Sequence, residues 1–284
     1  MLINIPSHLF LTCAIALITA VSHAEVIDLH TGSEVSDTSL VEILKSADIV
    51  LLGELHDNKF HHELRGNLIS RFADSKRSVV SEHLPSPLQV TFASDTKADL
   101  KAAGFDPEGW GWPVHQTLYD RLREKGLAVF GGNLPREEAR QIFLQGANGL
   151  PERMAKTYAQ SRLDEKSERA LDRDLVDGHC GKLPDKYLLR MRFAQRITDL
   201  SLSHALLDHR PAILVAGNGH VRKDYGVPQI LLSVAPELRV VSIGFLERDN
   251  NSPELLKSVL GRYDYVWLTE PAERTDPCEN FNLK

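Results

Sequence analysis

The stretch "ADIVLLGELHDNKFHH", residues 47–62, decides how the rest of the chain is read. Ala47–Leu52 has the length and apolarity of a buried strand, and it stops at a glycine followed by Glu54, His56, His61 and His62. A zinc protease is the first reading to test. "HHELRG", residues 61–66, follows the His-Glu-x-x-His pattern until its last position, where Gly66 replaces the second histidine. On a helix His61 and His62 point about 100° apart and cannot meet one ion from the same turn, so spacing excludes this class. They are read instead as surface or pocket-rim residues.

The same pattern recurs. Candidate strands lie at Ala47–Leu52, Ser78–Glu82, Leu127–Gly131, Ala212–Ala216, Leu231–Val234, Val240–Gly244 and Tyr265–Thr269, with amphipathic stretches between them. That alternation predicts an α/β fold, a central largely parallel sheet flanked by helices. Lys59–Phe72 and Val114–Lys125 read as helices. Leu189, Phe193, Ile197, Leu200, His204 and Leu207 place one face on a long helix from about Pro184 to Asp208. Residues 135–209 contain no convincing strand and read as a helical insertion or cap within one domain spanning residues 25–284. The charged run "SRLDEKSERALDRDLVD" within it reads as a solvated helical face.

Four strand ends carry polar residues that a core would not select: Glu54 and His56, Glu82 and His83, Asn133, and Asn218 with His220. In a parallel sheet these ends share one edge, where ligands bind. His56 and His220, with Glu54 or Glu82, form a mixed N/O donor set suited to Zn, Mn or Fe.

Bulk properties narrow the classes. A formal charge of −6 and the lack of any basic run with interleaved aromatics argue against nucleic acid as a partner. Residues 1–24 read as a secretory signal: Leu9–Val21 is apolar but short, and Ser22-His23-Ala24 offers small residues at the cleavage positions. No Lys or Arg precedes the apolar run. Thr12 before Cys13 is a poor match to a lipoprotein signal, so the expected location is exported, periplasmic or associated with the outer membrane. Cleavage leaves Cys180 and Cys278, an even pair that suggests a disulfide in an exported chain.

"GELHDNKFHH", "WGWPVHQTLYDRLREKGLAVFGGNLPRE", "GHCGKLP", "MRFAQRITDL", "AGNGHVRKDYGVP" and "DYVWLTEPAERTDPC" together resemble the ChaN-like haem-binding uptake proteins of the Tiki superfamily. The likeness runs in order from about residue 45 to 280. It implies an α/β fold with a helical subdomain, a part in bacterial haem and iron uptake, and ferric haem bound by a tyrosine. It also implies a haem-bridged homodimer and an outer-membrane haem receptor as partners. His83 stands where the family pattern leads one to expect an apolar residue.

The residues allow a haem site of their own. Without a Cys-x-x-Cys-His sequence, attachment is non-covalent. Tyr225 lies in "GHVRKDYG" with Arg222 and Lys223; cations lower a phenol's pKa toward the phenolate that ligates ferric iron, and they pair with propionates. His220, Asn218, His56 and Glu54 complete the expected cofactor surroundings. The other reading of Tyr225 is a packed aromatic with a hydrogen-bonded hydroxyl. Tyr119 and Tyr158 are secondary candidates. An enzymatic alternative is a metal-dependent hydrolase, because Gly53-x-x-His56, Glu82 and His220 also match the outline of Tiki metalloproteases and erythromycin esterases. There His56, Glu54 and His220 would hold the metal, and His56, Glu82 and His220 would be catalytic.

Export has a direct check. The intact mass of protein from its native host is expected to start at Glu25; a mass retaining Met1, or diacylglycerol on Cys13, contradicts it.

Overall fold

The computed structural model describes residues 25–248 and 252–279; the predicted signal segment lies outside them. The elements run β1 (Glu25–Asp28), α1 (Asp37–Ser46), β2 (Ile49–Leu52), α2 (Lys59–Phe72), β3 (Ser78–Pro85), β4 (Gln89–Val90), α3 (Thr96–Ala102), α4 (Gln116–Glu124) and β5 (Val129–Asn133). Then follow α5 (Arg136–Gln145), α6 (Glu152–Gln160), α7 (Glu165–Gly178), α8 (Asp185–Asp208), β6 (Ala212–Val215), α9 (Val227–Val234), β7 (Val240–Glu247), α10 (Ser252–Ser258) and β8 (Tyr265–Thr269). One sheet of order β1-β8-β7-β2-β6-β3-β5-β4 results. From β8 to β5 every pairing is parallel; β1 and β4 cap the two edges antiparallel. This is the expected α/β architecture.

Strand pleating sorts the central residues into two cores. Val50, Leu52, Ile213 and Val215 pack with Leu44 of α1, Leu68 of α2 and Leu118 of α4. Ile49, Leu51, Ala212 and Leu214 pack on the other face with Leu202 and Leu206 of α8 and Val227 of α9. Burial on both faces is why these strands read as continuous apolar runs. Between β5 and β6 the chain is helical, and α5, α6 and the middle of α8 share a small core of Ile142, Met154, Ile197 and Leu200.

Two readings of the sequence change. Leu231–Val234 is the last part of α9, not a strand. Pro228 favours the helical first turn, and Val227, Ile230 and Leu231 bury one face at helical spacing. A short apolar run does not tell strand from helix without that start signal. The edge strands β1 and β4 are additions; both are too short to carry a period.

The structure joins Cys180 to Cys278, with Cα atoms 5.5 Å apart across 98 residues of sequence. The bond ties the turn after α7 to the C-terminal segment beyond β8. In the chain-entropy model a loop of this size stabilises by about 4.7 kcal/mol. Non-reducing peptide mapping is expected to recover one linked Cys180–Cys278 fragment, and reduction to lower the unfolding midpoint. Two freely alkylated thiols in exported protein would refute the pairing.

Candidate functional site

Strands β2, β3 and β6 deliver their polar residues to one edge of the sheet, and close backbone approach holds them there. A Cβ on Gly53 would stand 2.1 Å from Asn218 Oδ1, so only glycine fits. Asn218 binds β7 through both side-chain groups, donating to the Phe245 carbonyl (2.6 Å) and accepting from the Phe245 N–H (3.0 Å). It acts as a strand extension, with both its amide nitrogen and its oxygen engaged by the β7 backbone. Asn133 likewise donates to the Glu82 carbonyl at 2.9 Å.

Glu54 is the hub. It is buried with His62, Arg65, His83 and His115 around it. Its Oε1 accepts from His56 Nδ1 (2.6 Å) and from His83 Nε2 (2.8 Å), and its Oε2 pairs with Arg65. Burial pushes the Arg65 guanidinium down to about 9. On its other nitrogen His83 meets Ser81 Oγ and Tyr119 Oη, each at 3.1 Å. His115 lies 3.8 Å from Glu54 Oε1, and neither of its ring nitrogens has a hydrogen-bond partner. Its pKa is pushed far down, first by burial and then by His83 and His62.

His61 and His62 are buried at the start of α2, not on a rim. Asn58 caps that helix by accepting from Phe60 and His61, which tucks the first turn under the end of β2. His61 Nδ1 accepts from the Leu55 N–H (2.9 Å), so its Nε2 donates to Thr269 Oγ1 (2.8 Å). His62 turns the other way, donating from Nε2 to the His56 carbonyl (2.9 Å) and accepting from Arg65 at Nδ1 (2.8 Å). Burial depresses both, His61 to about 3 and His62 to about 4.

A second chain of charge runs beside the hub. His220 Nδ1 meets Asp199 Oδ1 at 2.6 Å, and Nε2 meets Glu82 Oε1 at 3.2 Å. Burial opposes protonation of His220, but the two flanking carboxylates outweigh it and raise its pKa well above the ordinary value. Burial would raise Glu82; the neighbouring His220 instead holds it far below the carboxylate range. Glu82 Oε2 also accepts from the Gly217 N–H at 2.7 Å. His56 alone reaches outward: its side chain is 46% exposed. With Trp110 and Val114 it borders a pocket of about 390 Å³. An imidazole oriented by a carboxylate can exchange a proton there.

The expected metal set of Glu54, His56 and His220 does not form. His220 is turned to Asp199 and Glu82, and among the described residues the donors at metal-ligand spacing are Glu54, His83 and His115. Sequence reading missed Arg65, His115 and Asp199. Only Asp199 had a signal, an acid within the apolar "ITDLSL" of α8.

Tyr225 departs from its expected surroundings. It is 1% exposed, and its hydroxyl donates to Asp174 at 2.6 Å. Burial raises its pKa; Arg222 pulls it down and Asp174 pushes it back up, and the net shift is upward. Arg222 is committed to Asp174 and Asp224, and Lys223 pairs with Asp264. Tyr119 is buried and bonded to Ser81 at 2.7 Å, and burial raises its pKa too.

Tyr158 on α6 lines an open pocket of about 230 Å³ with Arg162, Leu163, Leu189, Arg192 and Phe193. Phe193 stands edge-on to its ring, and the Arg162 guanidinium lies 5.8 Å from the ring centroid. Leu189 is 64% exposed at the pocket's edge, although it continues the apolar stripe of α8.

The family model described as haem-binding uptake, Tiki superfamily, ChaN matches residues 40–231. No curated protein matches. Among solved structures, ChaN of Campylobacter jejuni, described with cofacial haem binding, superposes with a TM-score of 0.64 at 20% identity. That match covers 86% of this chain and 96% of that one. A Bacillus cereus protein gives a TM-score of 0.40 at 16% identity, covering 76% and 70%, too distant to carry an argument.

His61 supplies a measurable consequence. Between its folded value near 3 and its ordinary 6.5, the unfolded chain holds the proton and the folded chain does not. Its contribution is therefore complete above pH 6.5 and is lost as pH falls toward 3, at about 1.4 kcal/mol per pH unit. In urea unfolding between pH 4 and 6, His61→Gln is expected to flatten the stability slope by that amount. An unchanged slope contradicts the assignment.

Proposed function

The chain belongs to the ChaN haem-binding uptake family of the Tiki superfamily, and from that membership we propose that it binds ferric haem non-covalently in bacterial iron uptake. In this reading Tyr158 would hold the haem iron through its phenol oxygen. One observation carries the choice: its ring opens onto a pocket, and its hydroxyl forms no hydrogen bond among the described residues, whereas those of Tyr225 and Tyr119 are buried and bonded. Leu163, Leu189 and Phe193 offer apolar surface to a porphyrin, and Arg162, which forms no ion pair among the described residues, suits a propionate. When bound, the haem supplies a ferric centre for a phenolate ligand. The chain's part is to present the oxygen, cover apolar edges and neutralise carboxylates.

The pocket is smaller than the range usual for enclosed ligands, roughly 300–1,000 Å³. A haem held there would be only partly enclosed by this chain, which leaves room for a second copy to contribute to its cover. A haem-bridged homodimer, and delivery from an outer-membrane haem receptor to a periplasmic or membrane-associated chain, complete the reading. A metal-dependent hydrolase keeps one observation in its favour, the half-exposed His56 held by Glu54 at a pocket.

Haemin titrations of Tyr158→Phe and Tyr225→Phe test the assignment. Tyr158→Phe is expected to shift the visible spectrum and weaken binding at least about tenfold, near 1.4 kcal/mol. Tyr225→Phe should keep the wild-type spectrum. The reverse order, or no saturable binding in wild type, contradicts it.

A further inference from the structure

We propose that Glu54, His83 and His115 form a binding site for a divalent transition-metal ion of the zinc class, separate from the haem pocket. All three are buried, and their donor atoms lie within 4.8 Å of one another. Tetrahedral Zn with bonds near 2.0–2.1 Å places its donors about 3.3 Å apart. Glu54 Oε1 stands 2.8 Å from His83 Nε2 and 3.8 Å from His115 Nε2, on either side of that value.

His115 supplies an independent observation. A buried imidazole with neither nitrogen hydrogen-bonded forfeits its hydration without return, and an ion is one of the few things that satisfies it. Its ring packs edge-on to that of His83, centroids 4.4 Å apart, and a ring nitrogen of each lies within 4.8 Å of the other and of a Glu54 oxygen. His83 has the backing a ligand requires. With Nε2 on the metal its proton moves to Nδ1, where the Ser81 and Tyr119 oxygens already stand to accept it. Glu54 divides its oxygens, Oε2 to Arg65 and Oε1 toward the histidines, so it can ligate without abandoning Arg65. His56 Nδ1, 2.6 Å from the same Oε1, occupies the side facing solvent and is the candidate for the fourth position. His56 also borders the surface pocket lined by Trp110 and Val114. No proton is gained or lost in this account: His83 changes tautomer, and His56, whose Nδ1 now donates to Glu54, does so too when it takes the fourth position.

The test uses the full chain, freed of metal by dialysis against chelator and without haem, titrated with Co²⁺ and then Zn²⁺. Expected are a single tetrahedral Co²⁺ absorption saturating at one ion per chain, its displacement by Zn²⁺, and a rise in Tm with Zn²⁺. His115→Leu and His83→Leu should each abolish all three. His115→Leu removes an already unsatisfied group, so its metal-free form should melt no lower than wild type; should either variant fail to fold, the other decides. Stoichiometric metal retained by a folded variant, or no Co²⁺ uptake by wild type, overturns the proposal. Haemin binding should be unaffected by both substitutions, so loss of this site leaves the haem reading standing. Equally, Tyr158→Phe should bind Co²⁺ as wild type does.

Discussion

The Glu54 carboxylate, buried at the end of a central strand, is the constraint around which the sheet edge is organised. An ionised carboxylate there is tolerable only if it is paired, and the fold brings partners from three elements to it: Arg65 from α2, His83 from β3 and His56 from the turn after β2. Removing one partner of such a buried pair typically costs about 3–5 kcal/mol. The apposition of Gly53 and Asn218 then follows as geometry. The strand end must lie flush against the loop after β6 for these groups to meet, and a side chain at residue 53 would hold them apart.

The Asp199–His220–Glu82 chain solves the same problem differently. There one protonated imidazole lies between two buried acids: their charges outweigh burial at His220, and His220 outweighs it at Glu82, whereas at Asp199 burial prevails and raises the pKa. The two networks stand side by side, the Glu82 side chain facing one and its neighbour His83 the other. A β-strand turns adjacent side chains to opposite sides, which is how two successive residues come to serve separate sites.

Much of this was legible in the sequence. The apolar runs marked the central strands because burial on both faces leaves no polar alternation, and the glycines, acids, amides and histidines that follow them marked the polar edge of the sheet. What stayed hidden was set by partners distant in the chain. His61 and His62 read as rim residues because nothing local announces Leu55, Thr269 and Arg65 as their partners. The cations beside Tyr225 suggested a lowered pKa, yet Arg222 is neutralised by Asp174 and Asp224, and Asp174 takes the phenol's own proton as a hydrogen bond. His115 sits before a helix with no local feature to set it apart, and only the folded chain brings it to Glu54.

The proposed haem contact lies in the helical layer, where Tyr158, Arg162 and the exposed Leu189 line one pocket, rather than at the polar sheet edge. Resonance Raman spectroscopy of the ferric haem complex of the wild-type chain tests this most directly. An iron–phenolate stretch with enhanced phenolate ring modes is the predicted result. A spectrum with imidazole ligation and no phenolate modes would place the haem at the histidine-rich sheet edge and contradict the account.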